Sequence, residues 1–229
     1  ALAAQALIRN GNTQQQDKWL PLIVEGKIGV LALLDNEDFG SDIHLSARDK
    51  GDKVHLSGKK FLVVDANAAD FFIVSAIYEG QEAMIIVDAE QVDSQAIDEK
   101  ILIDETKRAS DIDFTGTTVE KGAVLANATS TLRDLELVGA LLYAAEATGS
   151  CAAALDTIVE YLTTRTQFGR LIGAYQALKH PTADILMQMD SSRSLVYHAA
   201  TLVNNANLSE DAEVACRMAK AQASEALLF

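Results

Sequence analysis

This chain of 229 residues is poor in cysteine, poor in positive charge and without a long unbroken apolar run. Its two cysteines, Cys151 and Cys216, both fall inside helical patterns. That excludes a disulfide framework and leaves two small buried thiols in a reducing cytosol as the expectation. Nineteen basic against thirty-three acidic residues give a net charge of −14. A surface built for nucleic acid or for anionic lipid needs clustered Lys and Arg, so neither partner is expected. An acidic ligand stays open, because one or two arginines in a cleft are enough locally. The longest apolar run, Leu137 to Ala145, is broken by Glu146, and no membrane span is expected from it. Ala1 to Ile8 shows neither a basic flank nor a cleavage pattern, which makes a cytoplasmic location the expectation.

Other absences concern chemistry. His44, His55, His180 and His198 share no ligand spacing with each other or with the cysteines, so no metal site is expected. A Ser-His-Asp reading lacks the glycines of a nucleophile elbow. Asp35, Glu37 and Asp38 read as solvated loop acids, and Lys59-Lys60 as a solvated strand start. There is no internal repeat, low-complexity tract or sustained heptad.

What is present is a change of period along the chain. A short helical segment comes first, with Thr13 and Gln16 at capping-box spacing and Pro21 and Gly26 at its far end. From Lys27 to about Val124 there are short β-like runs at Ile28–Leu34, Val54–Leu56, Phe61–Val64, Phe71–Ala76, Met84–Val87 and Ile112–Thr115. Asp49 to Lys53 reads as a hairpin turn. Such spacing without intervening helices predicts an antiparallel sandwich or barrel. From Thr131 apolar residues recur at three- and four-residue steps to Leu162, again from Leu178 to Val203, and a third helix opens at Ser209 with an acidic first turn. The predicted fold class is therefore α+β, an antiparallel β-domain followed by an antiparallel helical bundle. The expected divisions are 1–26, 27–126 and 127–229. Helical patterns run up to both ends, as in a chain cut from a longer one.

One helix junction stands out. Arg165-Thr166-Gln167-Phe168-Gly169 places a fork of donors, an amide, a flat apolar ring and a permissive glycine at one turn, followed by Ile172, Gln176 and His180. These are the parts of a dinucleotide clamp. Taken alone, the five residues favour an ordinary surface turn with a salt-bridged arginine. His180 shares a helix face with Gln176, where a hydrogen bond or cofactor edge and a half-buried helix histidine are equally consistent.

The wider pattern decides between them. Gly149, Ala154-Leu155-Asp156, Tyr161, Arg165-x-Gln-Phe-Gly169, Ile172, Gln176 and Ala183-Asp184 resemble the signature of the acyl-CoA dehydrogenase family at the start of its C-terminal helical domain. Gly40-Ser41-Asp42, Ser57-Gly58-Lys59-Lys60 and Ala69-Asp70 resemble its central β-domain, and Gly11-Asn12-Thr13-x-Gln15 with Leu20-Pro21 and Gly26 its helical lead-in. The resemblance implies an FAD-dependent α,β-dehydrogenation of an acyl-CoA thioester, an electron-transfer acceptor protein, and an oligomer with itself or with a relative. It implies that Arg165, Gln167, Phe168, Ile172 and Gln176 contact the diphosphate and adenine of a neighbour's FAD. Ser41 matches the serine near the pantetheine and flavin.

The departures are specific. Asp35-Asn36-Glu37 stands where the family usually has Thr-Glu-Pro. Leu62 and Val64 replace the Trp and the Thr or Ser on the strand under the flavin, so neither can donate toward the ring. The arginine that meets the CoA arm falls at Ala140, and the alternative position of the catalytic glutamate at Gly139. The more common glutamate position falls beyond Phe229, so no catalytic base is named in this span. An alternative to the enzyme is a non-catalytic partner subunit that lends its turn to a neighbour's flavin.

Overall fold

The computed structural model describes residues 1–36, 42–204 and 207–228. The chain divides into two compact units, Ala1–Leu135 and Glu136–Phe229.

The first unit opens with α1 (Leu2–Asn10) and α2 (Thr13–Val24). The cap of α2 lies one residue earlier than the spacing suggests. Asn12 accepts from the Gln15 backbone N–H, and the Gln15 side chain accepts in return from the Asn12 N–H, each at 2.9 Å. Pro21 sits inside α2 rather than beyond it, and Gly26, at φ 100°, follows the helix end.

Strands then follow in order: β1 (Gly29–Ala32), β2 (Ser46–Lys50), β3 (Lys53–Ser57), β4 (Lys59–Val64), β5 (Phe71–Tyr78), β6 (Gln81–Asp88), β7 (Ile97–Lys100), β8 (Ala109–Asp113), β9 (Thr118–Glu120) and β10 (Val124–Leu125). A seven-stranded sheet runs β10-β6-β5-β2-β3-β9 with β1 also on β5, and a three-stranded sheet runs β4-β8-β7. The turn at Asp49 to Lys53 closes the β2–β3 hairpin as expected. The sheet is not wholly antiparallel: β1 and β2 both pair with β5 in parallel, because each returns to β5 by a connection too long for a hairpin.

β5 explains the layering. Phe72, Val74 and Ala76 join the core between the sheets with Val54, Leu56, Val63, Ile85 and Phe114. The intervening Phe71 and Ile73 join a second core with Ala6, Leu7, Trp19 and Leu135. A strand apolar on both sides is what a central position between two packed layers demands. Trp19, the chain's single tryptophan, is buried there with its ring centroid 4.6 Å from that of Phe71.

In the second unit α3 (Thr129–Thr164) contributes its length from Glu136 onward, with α4 (Gln176–Leu202) and α5 (Glu210–Leu228). Cys151 and Leu155 of α3, Met189 of α4 and Ala226 of α5 meet in one apolar cluster. The Ser209 hydroxyl caps α5, accepting from the Ala212 N–H at 3.2 Å. By length and composition α3 is also apolar enough to cross a membrane, because the apolar character resumes beyond Glu146. The short run read from the sequence therefore does not exclude a span on its own. Core helices of bundles meet the same criterion, and α3 carries the packed side that they need in Leu141, Ala144, Cys151 and Leu155.

Candidate functional site

Between α3 and α4 the backbone forms a miniature hairpin that the sequence did not announce as strand. β11 (Thr166–Gln167) pairs antiparallel with β12 (Arg170–Leu171) across Phe168-Gly169. Both turn residues have positive φ, 53° at Phe168 and 79° at Gly169, as a type I′ turn requires. Glycine adopts that conformation freely. An aromatic residue does so at a cost of about 1–2 kcal/mol, and Asn would suit the place better.

The neighbours hold this turn firmly. Tyr175 lies under it: its hydroxyl donates to the Gln167 carbonyl at 3.4 Å, and its ring meets Phe168 edge-on at 6.5 Å between centroids. The Arg170 guanidinium stacks 3.9 Å from the same ring. A short 3₁₀ turn, Ile172–Ala174, then brings the backbone close against the end of α3. A methyl group on Gly173 would stand 2.7 Å from the Leu162 carbonyl oxygen.

The site residues are presented rather than packed. Phe168 is 92% exposed, and Arg165, Gln167 and Gln176 are exposed as well, with Ile172 half-buried. Arg165 engages the turn through its backbone, accepting from the Ile172 N–H at 2.9 Å, while its guanidinium makes no ion pair among the described residues. The salt-bridged surface arginine is therefore not what the structure contains. His180 is exposed, so the half-buried alternative fails too. The structure thus places Arg165, Gln167 and Phe168 at one hairpin turn, Ile172 on the 3₁₀ turn after it and Gln176 at the start of α4. Ser41 lies outside the described residues. Beside the turn, an apolar groove of about 510 Å³ runs along Leu155, Val159, Leu162 and Leu186.

In the first unit, β4 departs from simple alternation. Its pairing with β8 shifts between Lys60 and Val63, so that Lys60 and Val63 are buried and Phe61 and Leu62 between them are half-buried. Leu62 sits at φ 48°, and its N–H donates to Asp111 at 3.0 Å. This is a β-bulge, which re-aims the side chains that follow it. Val64 is exposed. Leu62 and Val64 offer no side-chain donor, so a flavin ring beside this strand would lack the polar contact that a hydroxyl supplies there.

Lys60 is the larger correction. It is not solvated; its side chain is fully buried and ion-paired to Asp35, itself buried rather than a solvated loop acid. Its ammonium also donates to the Ser75 hydroxyl at 2.7 Å and the Leu33 carbonyl at 3.2 Å. Burial pushes the Lys60 pKa down to about 8, with Asp35 opposing the shift. No sequence pattern marked this pair. A second lysine two residues after a glycine reads as polar edge, and the bulge that follows puts Lys60 and Val63 on buried positions alike.

The chain is similar to known proteins over nearly its whole length. Residues 137–228 match the family model described as the C-terminal domain of acyl-CoA dehydrogenase. The caffeyl-CoA reductase–Etf complex subunit CarC of Acetobacterium woodii is 29% identical over 98% of this chain and 62% of its own length. The butyryl-CoA dehydrogenase structure from Megasphaera elsdenii superposes with a TM-score of 0.86 at 26% identity, over 98% of this chain and 61% of that one. The chain belongs to the acyl-CoA dehydrogenase family. The ChsE4–ChsE5 complex from Mycobacterium tuberculosis is similar as well, with a TM-score of 0.83 at 25% identity over 98% of this chain and 59% of that one. The chain spans about three fifths of the length of the first curated relatives it matches.

Proposed function

We propose that the full-length protein is a flavoprotein oxidoreductase that dehydrogenates an acyl-CoA thioester between its α and β carbons. The observation that supports this most is the exposed Phe168 held at positive φ on the turn that follows Arg165, whose guanidinium makes no ion pair among the described residues. A strained aromatic that meets the chain through the edge of Tyr175 and stays 92% exposed buries little surface, whereas a ligand that stacks on it gives the strain a purpose. FAD, when bound, accepts the hydride from the acyl β-carbon. The guanidinium of Arg165 supplies charge-assisted donors to the diphosphate, and the ring of Phe168 gives the adenine a flat face. Gln167, Ile172 and Gln176 complete that contact set. By resemblance the turn serves the FAD of a neighbouring subunit, so the working form is at least a dimer. Ser41 faces the pantetheine and flavin in this reading, and the proton-abstracting glutamate falls beyond Phe229. An electron-transfer protein takes the electrons onward.

A second reading has the chain as a partner subunit that completes a relative's site without turnover of its own. Leu62 and Val64 favour it by removing donors from the flavin side, and likeness to the ChsE4–ChsE5 complex fits a hetero-oligomer. Flavin absorbance and titration of the purified full-length protein, alone and with any co-purifying relative, separate the two. Stoichiometric FAD with acyl-CoA-dependent bleaching in the lone protein establishes the enzyme. FAD only with the relative establishes the partner, and no flavin in either state defeats both.

A further inference from the structure

The connection between β1 and β2 carries Gly40-Ser41-Asp42, and both of its ends meet at one buried ion pair. On the incoming side the Lys60 ammonium takes the Leu33 carbonyl and the Asp35 carboxylate. Phe61, the next residue of β4, donates its N–H to the Leu34 carbonyl at 2.8 Å. On the outgoing side, Asp35 Oδ1 accepts from the Leu45 N–H at 2.8 Å, and the Leu45 carbonyl accepts from the Ile77 N–H at 2.8 Å. Ser75 of β5 holds the ammonium from below at 2.7 Å. One carboxylate thus bridges the lysine to the far end of the connection.

As a source of stability this arrangement is poor. Burying two charges costs about as much as their attraction returns, and an apolar pair of similar volume is often neutral or better. What an ion pair supplies and an apolar pair does not is a fixed register between backbone points. The same strand carries, two and four residues on from Lys60, the Leu62 and Val64 that the resemblance sets under the flavin.

We infer that Lys60, acting through Asp35, is a positioning residue that fixes both ends of the Ser41-bearing connection relative to the flavin-side strand. The inference rests on the proposed function for the identity of the ligand, and on the hydrogen-bond geometry alone for the clamp.

The test uses the full-length protein in three forms: wild type, the double variant Lys60→Met with Asp35→Asn, and Lys60→Arg. The double variant removes both charges at similar volume, so the fold should survive, with unchanged amide protection at Ile73 and Ile85. Exchange at the Leu45 amide should rise about tenfold, because the Asn carbonyl leaves a neutral hydrogen bond in place of a charge-assisted one. FAD titration should show about tenfold weaker binding and an altered band shape of the bound flavin, with Lys60→Arg partly restoring both. Wild-type protection at Leu45, or a loss of protection spread evenly through β5 and β6, overturns the clamp. An unaltered flavin spectrum and affinity in the double variant overturns the positioning role. If wild type itself takes no FAD, the proposed function falls with the positioning role, while exchange at Leu45 still decides the clamp.

Discussion

The Arg165–Gly169 turn and the Lys60–Asp35 pair are opposites in how they are built. The turn exposes its side chains, spends backbone strain on Phe168 and keeps the Arg165 charge uncommitted among the described residues. The pair hides its charges and commits nearly every polar atom to a partner within the chain. The first is organised to meet something else, and the second to hold the protein itself in place. Mutations should therefore divide cleanly: those at the turn should cost affinity and spare stability, and those at the pair should cost stability first.

The largest effect expected is at the pair. Lys60→Ala leaves the Asp35 carboxylate buried without its cation and should destabilise the fold by about 3–5 kcal/mol. Denaturant unfolding of the variant checks this, and a loss below about 1 kcal/mol would collapse the contrast. Next comes Arg165→Ala, which should weaken FAD binding by about 1.5–3 kcal/mol through lost charge-assisted hydrogen bonds. Its unfolding midpoint should match that of wild type.

The third concerns pH. Folding lowers the Lys60 pKa from 10.5 to about 8, so between those values the unfolded chain binds the extra proton. Stability should accordingly rise with pH across that window, and the penalty for the buried charge is in full force below it. Unfolding at both ends of the window should show this rise in wild type and not in the Lys60→Met, Asp35→Asn double variant. The smallest effect should have the opposite sign to the first. Phe168→Asn puts the residue best suited to a type I′ turn at that position and should raise stability by about 0.5–1 kcal/mol while weakening FAD binding. A destabilised Phe168→Asn would show that the ring supports the chain and not a ligand.

The same contrast governs what the sequence reveals. The turn was legible because its residue types are unusual together, and a motif is a list of types. The helices were legible from their period, with Ser209 capping α5 where expected. The cap of α2 was misplaced by one because Asn12 and Gln15 offer the same chemistry as Thr13 and Gln16, and only backbone geometry separates them. The parallel pairing of β1 and β2 with β5 depends on long connections whose route no local pattern records. Lys60 was illegible for a deeper reason. Alternation assigns each strand residue to a side by counting, and the bulge at Phe61-Leu62 changes the count just after it. Asp35 among neighbouring acids gave no sign that it turns inward.

Trp19 has a practical consequence for unfolding measurements made on these 229 residues. The chain has one tryptophan, packed at a tilt against Phe71 inside the first unit, and four of its five tyrosines, at 143, 161, 175 and 197, lie in the second. Selectively excited indole emission therefore reports melting of the β-containing unit alone, while the far-ultraviolet helical signal is dominated by the other. Two optical channels thus come with the native chain, and a protein whose two units melt at different temperatures would show it without a label.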